Sequence, residues 1–290
     1  MFPDEFDYYR PDTVEEALSV LDERPGAEVL AGGHSLIPSM KTGLASPGTL
    51  VDIGRIEDLR GIEHGERTAS LGALTSYAAV HDDDTLWERA TVVAEAAGEI
   101  GDVQVRNRGT IGGNVAHADP ASDLPGAVLA ADATLVVAGP EGEREIPADE
   151  FFLGMYMTDV GEDELLTGVR VPYHGDDTAS AYVKRPSPSS GYAMVGVAAV
   201  LDTDGEVIES ARLAANGVMG RAVRLTPTEE ALEGVSLDDD GALTEAAEFA
   251  ADDLDRAMMM DDIHASGEFR EGLLRIYTDR ALAAAVERIA

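Results

Sequence analysis

The most constraining feature of this sequence is a run of small and polar residues, Thr110 to Pro125, between two apolar segments with helical spacing. Gly112 and Gly113 lack Cβ atoms, so successive N–H groups in this run could turn toward one concavity and approach an anion closely. Thr110 and Asn114 could add side-chain donors. The run therefore predicts a loop that binds phosphate, and its alternative is a glycine bulge without a ligand.

A second run of the same kind lies near the start of the chain, directly after an apolar, strand-like segment at 27–30. Two such loops suit a diphosphate better than one. The alternative is an ordinary strand-to-loop turn in which a serine caps the next segment. This run extends from Ala31 to Pro38, and its candidate site residues are Ala31, Gly32, Gly33, His34, Ser35 and Leu36.

The pattern of apolar residues indicates an α+β fold in three consecutive units. Residues 1–55 have a βαβ-like pattern, in which Thr13 and Glu16 form a capping box for a helix that ends before Pro25. Residues 56–173 mix helices and strands, with Thr75 at the start of one helix and helical spacing over 86–100. Residues 178–290 predict a three-stranded antiparallel sheet followed by a helical bundle.

Five phrases in fixed order carry a resemblance to a known family. They are AGGHSLIPSMK, GTLVDI, RNRGTIGGNVAHADPASDLP, ELLTGVRVP and, near the end, DDIHASGEFREGLLRIYTDRAL. In these phrases, and over almost its whole length, the chain resembles the FAD-binding medium subunit of molybdenum hydroxylases, represented by the aerobic carbon monoxide dehydrogenase medium chain and the xanthine dehydrogenase FAD-binding subunit. The resemblance implies FAD as the cofactor. It also implies a two-subdomain FAD-binding fold of the PCMH (vanillyl-alcohol oxidase-like) type and a C-terminal carbon monoxide dehydrogenase flavoprotein-like domain.

The resemblance implies roles for individual residues around the diphosphate. Gly32 to Leu36 and Ile111 to Val115 match the family's two phosphate loops. Thr110 and Ser122 are candidate donors to phosphate or ribose oxygens, although both could be turn caps. Asp123 matches a carboxylate that hydrogen-bonds the polar middle of the cofactor, although the family's motif carries an Asn that is missing here. A helix N-cap is the alternative for this aspartate.

Three further candidates follow from the same resemblance, and a fourth, Lys184, follows from residue usage. Leu165 and Leu166 match a strand that meets the flavin ring or the adenine, a role compatible with core packing. Lys184 is one of only two lysines in the chain, and its ammonium would stabilise the reduced anionic ring if it lay near the pyrimidine end. Tyr192 matches an aromatic residue against the isoalloxazine and could gate it. A surface lysine and a core tyrosine are the alternatives.

The function implied by the resemblance is electron transfer within a complex. Substrate would be oxidised on a large subunit that holds a molybdenum cofactor, and [2Fe–2S] clusters on a small subunit would pass electrons to the FAD of this chain, which would deliver them to an external acceptor. The expected assembly is a dimer of heterotrimers. One alternative is a self-sufficient flavin oxidase with FAD joined covalently to His34, and another is a scaffold that has lost its cofactor.

The charge balance bears on the environment and the partners of the chain. Its 56 acidic and 21 basic residues give a formal net charge of −35, which is typical of a halophile, because concentrated salt screens self-repulsion over a few ångströms. The same charge disfavours nucleic acid and anionic membrane surfaces as partners.

Several classes of site and location are excluded by residue usage. With no cysteine, the chain forms no disulfide and ligates no iron–sulfur cluster, so any cluster must belong to a partner. The histidines lack metal-ligand spacing, and no G-x-S-x-G motif is present. The first residues do not resemble a signal peptide, and no run is long and apolar enough for a transmembrane helix. We therefore expect a cytoplasmic protein without a metal site.

Overall fold

The computed structural model describes residues 2–289. Its first part is a three-stranded parallel sheet with a helix in each crossover, consistent with the predicted βαβ-like pattern. Thr13 starts the first helix as predicted, because its hydroxyl accepts a hydrogen bond from the Glu16 N–H at 3.2 Å. The elements are β1 (Asp7–Tyr9), α1 (Val14–Glu23), β2 (Glu28–Leu30), α2 (Leu36–Thr42) and β3 (Thr49–Asp52), and β3 lies in the centre of the sheet.

The second part is built on a five-stranded antiparallel sheet with the order β4-β5-β10-β6-β7. Its helices lie mainly between β5 and β6, and a two-stranded hairpin, β8–β9, follows β7. The strands are β4 (Ile62–His64), β5 (Thr68–Gly72), β6 (Thr134–Gly139), β7 (Gly142–Pro147), β8 (Phe152–Gly154), β9 (Met157–Thr158) and β10 (Leu165–Pro172). The helices are α3 (Tyr77–His81), α4 (Asp84–Arg89), α5 (Thr91–Gly98), α6 (Val103–Arg106), α7 (Ile111–His117), α8 (Leu124–Ala130) and α9 (Ala148–Phe151).

Two helix predictions in this part were wrong in detail. Helix α3 is capped by Ser76, whose hydroxyl accepts from the Ala79 N–H at 3.2 Å, whereas the Thr75 hydroxyl donates to the Gly61 carbonyl. The helix expected over 86–100 is two helices, because Ala90 leaves the helical backbone at φ −155° and ψ 42°. The apolar spacing continues across this break, so the sequence pattern does not reveal it.

The third part is an antiparallel sheet with helices on one face. Its three long strands confirm the predicted meander, and a two-residue edge strand, too short to leave a pattern, adds a fourth. The strands are β11 (Thr178–Pro186), β12 (Ala193–Thr203), β13 (Ile208–Asn216) and β14 (Val223–Arg224). The helices are α10 (Thr226–Leu232), α11 (Asp240–Glu248) and α12 (Gly267–Val286).

Strand β12 connects two hydrophobic cores. Val197 and Leu201 belong to the core under α10–α12, whereas Ala198 and Val200 belong to the core that contains α5 and α8. Successive strand residues point to opposite faces, so a strand buried on both faces is apolar at nearly every position. The second and third parts therefore share a core across β12.

Within residues 2–289, no helix is both long enough and apolar enough to span a lipid bilayer.

Candidate cofactor site

A cavity of about 560 Å³ lies where the first and second parts of the chain meet. Both predicted glycine runs and the start of β10 line it. Of the site residues predicted from sequence, the cavity lining contains Ala31, Gly32, Gly33, His34, Ser35, Leu36, Thr110, Gly112, Gly113, Asn114, Leu165 and Leu166. The structure thus brings together residues that are more than 100 positions apart in the chain.

The first glycine run forms the open loop expected from sequence. Gly33 has a φ of +74°, which turns the chain after β2 in a conformation that favours glycine. The N–H groups of Gly32 to Ser35 have no hydrogen-bond acceptor within residues 2–289, and the His34 Nδ1 lies 3.1 Å from the Gly32 carbonyl. These free donors beside a cavity are what an anionic ligand requires.

The second glycine run differs from the predicted loop, because it forms the first turn of α7. The Ile111 and Gly112 N–H groups donate to the Thr75 and Ala73 carbonyls, both at 2.9 Å, and the Gly113 N–H donates to the Thr110 hydroxyl at 3.2 Å. The expected concave nest of free N–H groups is therefore absent at 111–113, and Thr110 acts as a helix cap.

Close packing accounts for two of the glycines. A Cβ on Gly32 would lie 2.6 Å from the Arg108 carbonyl oxygen, and one on Gly112 would lie 2.5 Å from the Ala73 side chain. Gly32 therefore lets the first loop contact the backbone before α7, and Gly112 lets α7 contact the segment after β5. At these positions the requirement for glycine arises from contact between segments of the protein.

A chain of hydrogen bonds connects Ser122 to the cavity. The Ser122 hydroxyl donates to the Asn114 side-chain oxygen at 2.8 Å, and the Asn114 amide donates to the Tyr77 hydroxyl at 3.0 Å. Tyr77 lines the cavity, and burial raises its pKa to about 12. Ser122 is itself buried outside the cavity lining, so its contact is with Asn114.

Asp123 and Lys184 form a buried ion pair, and neither residue belongs to the cavity lining. The Lys184 Nζ lies 3.0 Å from the Asp123 carboxylate, which also accepts from the Tyr182 hydroxyl at 2.6 Å. Burial raises the pKa of Asp123 to about 6, while the ammonium and the hydroxyl oppose that rise. The N-cap alternative for Asp123 is not supported, because its side chain makes no capping hydrogen bond to α8.

Lys184 also positions the loop that carries Tyr192. Besides the carboxylate, its ammonium donates to the carbonyls of Glu99 at 2.7 Å and Gly191 at 3.1 Å. These three protein oxygens match the three N–H donors of a lysine ammonium. The surface-lysine alternative is excluded, since the side chain is only 2% exposed.

Tyr192 lies at the end of a short loop after β11, with 41% of its surface exposed. The loop closes through the Ser187 N–H, which donates to the Tyr192 carbonyl at 2.7 Å. Burial of the hydroxyl end and the nearby Asp119 carboxylate raise the pKa of Tyr192, whereas the Ser35 hydroxyl lowers it. The phenol of Tyr192 therefore lies beside the first glycine loop, and this half-exposed side chain is not a core residue.

The remaining predicted residues, Ile111 and Val115, are fully buried in the hydrophobic core. The cavity lining also contains two aromatic residues, Tyr77 and Tyr156, that the sequence analysis does not predict as site residues. Tyr156 has an unusual φ of +56°, and its ring lies 5.1 Å from that of His117. Neither tyrosine belongs to a local motif, so only the folded chain brings them to the cavity.

Comparison with known proteins agrees with this geometry. Residues 4–174 match the family described as the FAD binding domain in molybdopterin dehydrogenase, and residues 180–285 match the CO dehydrogenase flavoprotein C-terminal domain. The chain therefore belongs to the family of FAD-binding subunits of molybdopterin dehydrogenases, which are oxidoreductases.

Individual relatives match over most or all of the chain. The carbon monoxide dehydrogenase medium chain of Hydrogenophaga pseudoflava is 38% identical and matches 100% of both sequences. A solved structure of carbon monoxide dehydrogenase from the same organism covers 100% of both chains with a TM-score of 0.93. The glyceraldehyde dehydrogenase medium chain of Sulfolobus acidocaldarius is 37% identical, over 83% of this chain and 85% of its own.

Proposed function

We propose that this chain is the FAD-binding electron-transfer subunit of a molybdenum hydroxylase complex. It accepts electrons from [2Fe–2S] clusters on a small subunit and passes them to an external acceptor, while a large subunit holds the molybdenum cofactor. The names of the relatives, which are medium chains of dehydrogenases, support this assignment. We further propose a dimer of heterotrimers in a salt-rich cytoplasm, in keeping with the net charge of −35.

The observation that carries the proposal is the row of free N–H donors from Gly32 to Ser35 beside the 560 Å³ cavity. A diphosphate is the part of FAD that needs such donors, since each oxygen accepts hydrogen bonds and the negative charge is stabilised by several of them. In our proposal the first loop holds the diphosphate. The α7 turn serves as a wall, because its own N–H groups are already used.

The other residues orient and enclose the cofactor. FAD supplies a ring that exchanges electrons singly or in pairs, and the protein sets its position and potential. Tyr77 and Asn114 offer polar atoms to the cofactor, and Leu165 and Leu166 offer apolar contact to the ring or the adenine. Tyr192 would contact the ring, the role that the resemblance implies for it. Lys184, paired with Asp123, would hold the loop that carries Tyr192.

The test of this function is the visible absorption spectrum of protein purified in high salt, followed by acid extraction and chromatography of the released flavin. We expect a flavin spectrum and FAD in the extract. A protein that stays colourless after incubation with FAD, both alone and with its partner subunits, would contradict the assignment.

Acid precipitation of the same sample tests the covalent-oxidase alternative. His34 is the residue concerned, and it lines the cavity with its Nδ1 3.1 Å from the Gly32 carbonyl. We expect all yellow colour to leave with the supernatant, because the relatives are named as medium chains of dehydrogenases and not as self-sufficient oxidases. Colour that remains with the pellet would instead support the oxidase.

A further inference from the structure

Outside the cofactor cavity, four side chains of the second part of the chain meet at the surface. His64 ends β4, Asp83 precedes α4, Arg89 ends α4 and Tyr173 follows β10. None of these four residues lines the cofactor cavity. A carboxylate, an imidazole and a hydroxyl in contact are the components of a nucleophilic site, and electron transfer makes no use of this cluster.

The hydrogen bonds of His64 determine which of its ring nitrogens carries the proton. Its Nε2 lies 3.1 Å from an oxygen of the Asp83 carboxylate, and its Nδ1 lies 2.6 Å from the Tyr173 hydroxyl. An ionised carboxylate can only accept, so the neutral imidazole carries its hydrogen on Nε2. Nδ1 then has a free lone pair, and the Tyr173 hydroxyl donates to it. The base therefore already contacts the proton that it would remove.

Further contacts with the backbone hold this arrangement in place. The second oxygen of the Asp83 carboxylate accepts from the Leu86 N–H at 2.8 Å and caps α4. The Tyr173 N–H donates to the Arg67 carbonyl at 2.9 Å, which fixes the chain after β10. A base that contacts a hydroxyl and is itself oriented by a carboxylate is the arrangement that activates the nucleophile in catalytic triads.

Arg89 supplies a positive charge beside the phenol. Its guanidinium carbon lies 4.0 Å from the centre of the Tyr173 ring. Burial raises the pKa of Tyr173, and the Arg89 guanidinium opposes that rise. Since the ordinary pKa of tyrosine is about 10, the phenol keeps its proton at neutral pH and needs a base in order to react. The guanidinium would stabilise the negative charge that develops on the oxygen as the proton leaves.

We propose that Tyr173 is an activated nucleophile that takes an acyl group from an activated acyl donor, such as an acyl phosphate or a thioester. The phenol oxygen forms a bond to the carbonyl carbon while His64 takes the phenol proton. The bond between that carbon and the leaving group then breaks, and the leaving group departs with the proton from the imidazolium. The product is an O-acyl tyrosine, and the step is a group transfer that needs no oxidant or reductant.

Tyr8 is an internal control for this chemistry. It is 50% exposed, whereas Tyr173 is half-buried, so exposure alone favours reaction at Tyr8. The Tyr8 hydroxyl donates to the Asp52 carboxylate rather than to an imidazole, and this hydrogen bond raises its pKa. Both phenols therefore keep their protons at neutral pH, and the imidazole is the difference between them.

The test is a brief exposure of the protein, purified in molar salt, to N-acetylimidazole, followed by peptide mapping with mass spectrometry. We expect Tyr173 to be acetylated at least about tenfold faster than Tyr8, because a positioned general base contributes about 10²–10⁴ to the rate of such a step. A rate at Tyr8 that equals or exceeds the rate at Tyr173 overturns the proposal.

Two variants distinguish a base from a merely structural histidine. His64→Gln removes the imidazole. Asp83→Asn keeps an oxygen for the Leu86 N–H, but its amide donates to the His64 Nε2, so the ring carries its proton on Nδ1 and no longer accepts from Tyr173. We expect each variant to lower the acetylation rate of Tyr173 at least about tenfold while the rate at Tyr8 is unchanged. A Tyr173 rate that stays at the wild-type value, or that falls only as much as the rate at Tyr8, contradicts the role of His64.

Discussion

At the residue scale, the site depends on side chains and glycines that are constrained for different reasons. Gly33 has a backbone conformation that favours glycine, while Gly32 and Gly112 are confined by neighbouring backbone and side-chain atoms. Lys184 and Asp123 form a pair almost completely removed from water. Substitutions at these positions therefore separate loss of ligand from loss of fold.

Gly33→Ala is predicted to weaken FAD binding about tenfold or more. The substitution strains the backbone at φ +74° and places a Cβ 3.2 Å from the Leu30 and Ile37 side chains, so the loop has to move. Gly43→Ala is the matched control, because Gly43 has a φ of +79°, has no atom within 4 Å of an added Cβ, and lies outside the cavity lining. In each variant, backbone strain should lower the free energy of unfolding by about 1–2 kcal/mol. Fluorescence titration with FAD should distinguish them, and equal FAD affinities would contradict the role of the first loop.

Lys184→Met is predicted to lower the free energy of unfolding by about 3–5 kcal/mol, because it leaves a buried carboxylate without its cation. Adding Asp123→Asn should recover part of that loss. Arg170→Met is the control, since its pair with Glu145 is exposed and should contribute less than about 1 kcal/mol. Urea unfolding in molar salt measures all three, and a loss for Lys184→Met no larger than for Arg170→Met would contradict the argument.

The raised pKa of Asp123 predicts a pH effect of defined sign. The folded state binds this proton more tightly than the unfolded state, so the stabilisation is fully present below pH ~4 and is lost as pH rises through about 6. The stability of the wild type relative to Asp123→Asn should therefore fall by about 3 kcal/mol over that range, since one pKa unit corresponds to about 1.4 kcal/mol. If the free energies of unfolding of the wild type and of Asp123→Asn differ by the same amount at every pH, Asp123 does not titrate in this way.

At the element scale, α7 and the β8–β9 hairpin shape the site. Helix α7 starts at the cavity because Thr110 caps it, and its N–H groups are thereby directed into the protein. Tyr156 and Thr158 of the hairpin line the cavity. Each element therefore contributes to the site through its position as well as its side chains.

Thr110→Val is predicted to lower the free energy of unfolding by about 1 kcal/mol, because the Gly113 N–H loses its acceptor. FAD retention should fall as well, since the first turn of α7 forms part of the cavity wall. Thr110→Ser keeps the hydroxyl and should behave like the wild type in both assays. If Thr110→Val and Thr110→Ser have the same melting temperature and flavin content, the cap does not support the site.

At the scale of the whole molecule, the acidic surface sets the conditions for stability. A net charge of −35 on 290 residues produces self-repulsion that opposes the compact state. The melting temperature is predicted to rise from low to molar potassium chloride as the repulsion is screened. Sucrose at matched osmolality is the control for general exclusion effects. A melting temperature that does not change with potassium chloride, or that sucrose raises equally, would contradict screening as the cause.

The sequence alone determined the family, the α+β class and the cofactor, and twelve of the site residues predicted from it line the cavity. The family and the cofactor followed from the resemblance carried by five phrases, whereas the capping box and the alternating apolar residues correctly predicted local backbone structure. The Thr13 cap and the three long C-terminal strands lie where these signals indicated. The proposed division at 55, 173 and 178 stays an interpretation, because the second and third parts share a core.

Only the tertiary structure decided which atoms are free to act. The N–H groups of 111–113 are used by Thr75, Ala73 and Thr110, and the ammonium of Lys184 is used by Glu99, Asp123 and Gly191. Tyr77 and Tyr156 reach the cavity from segments with no motif. A sequence states which donors exist, but whether a donor is free depends on acceptors far away in the chain, and folding alone brings those acceptors into contact.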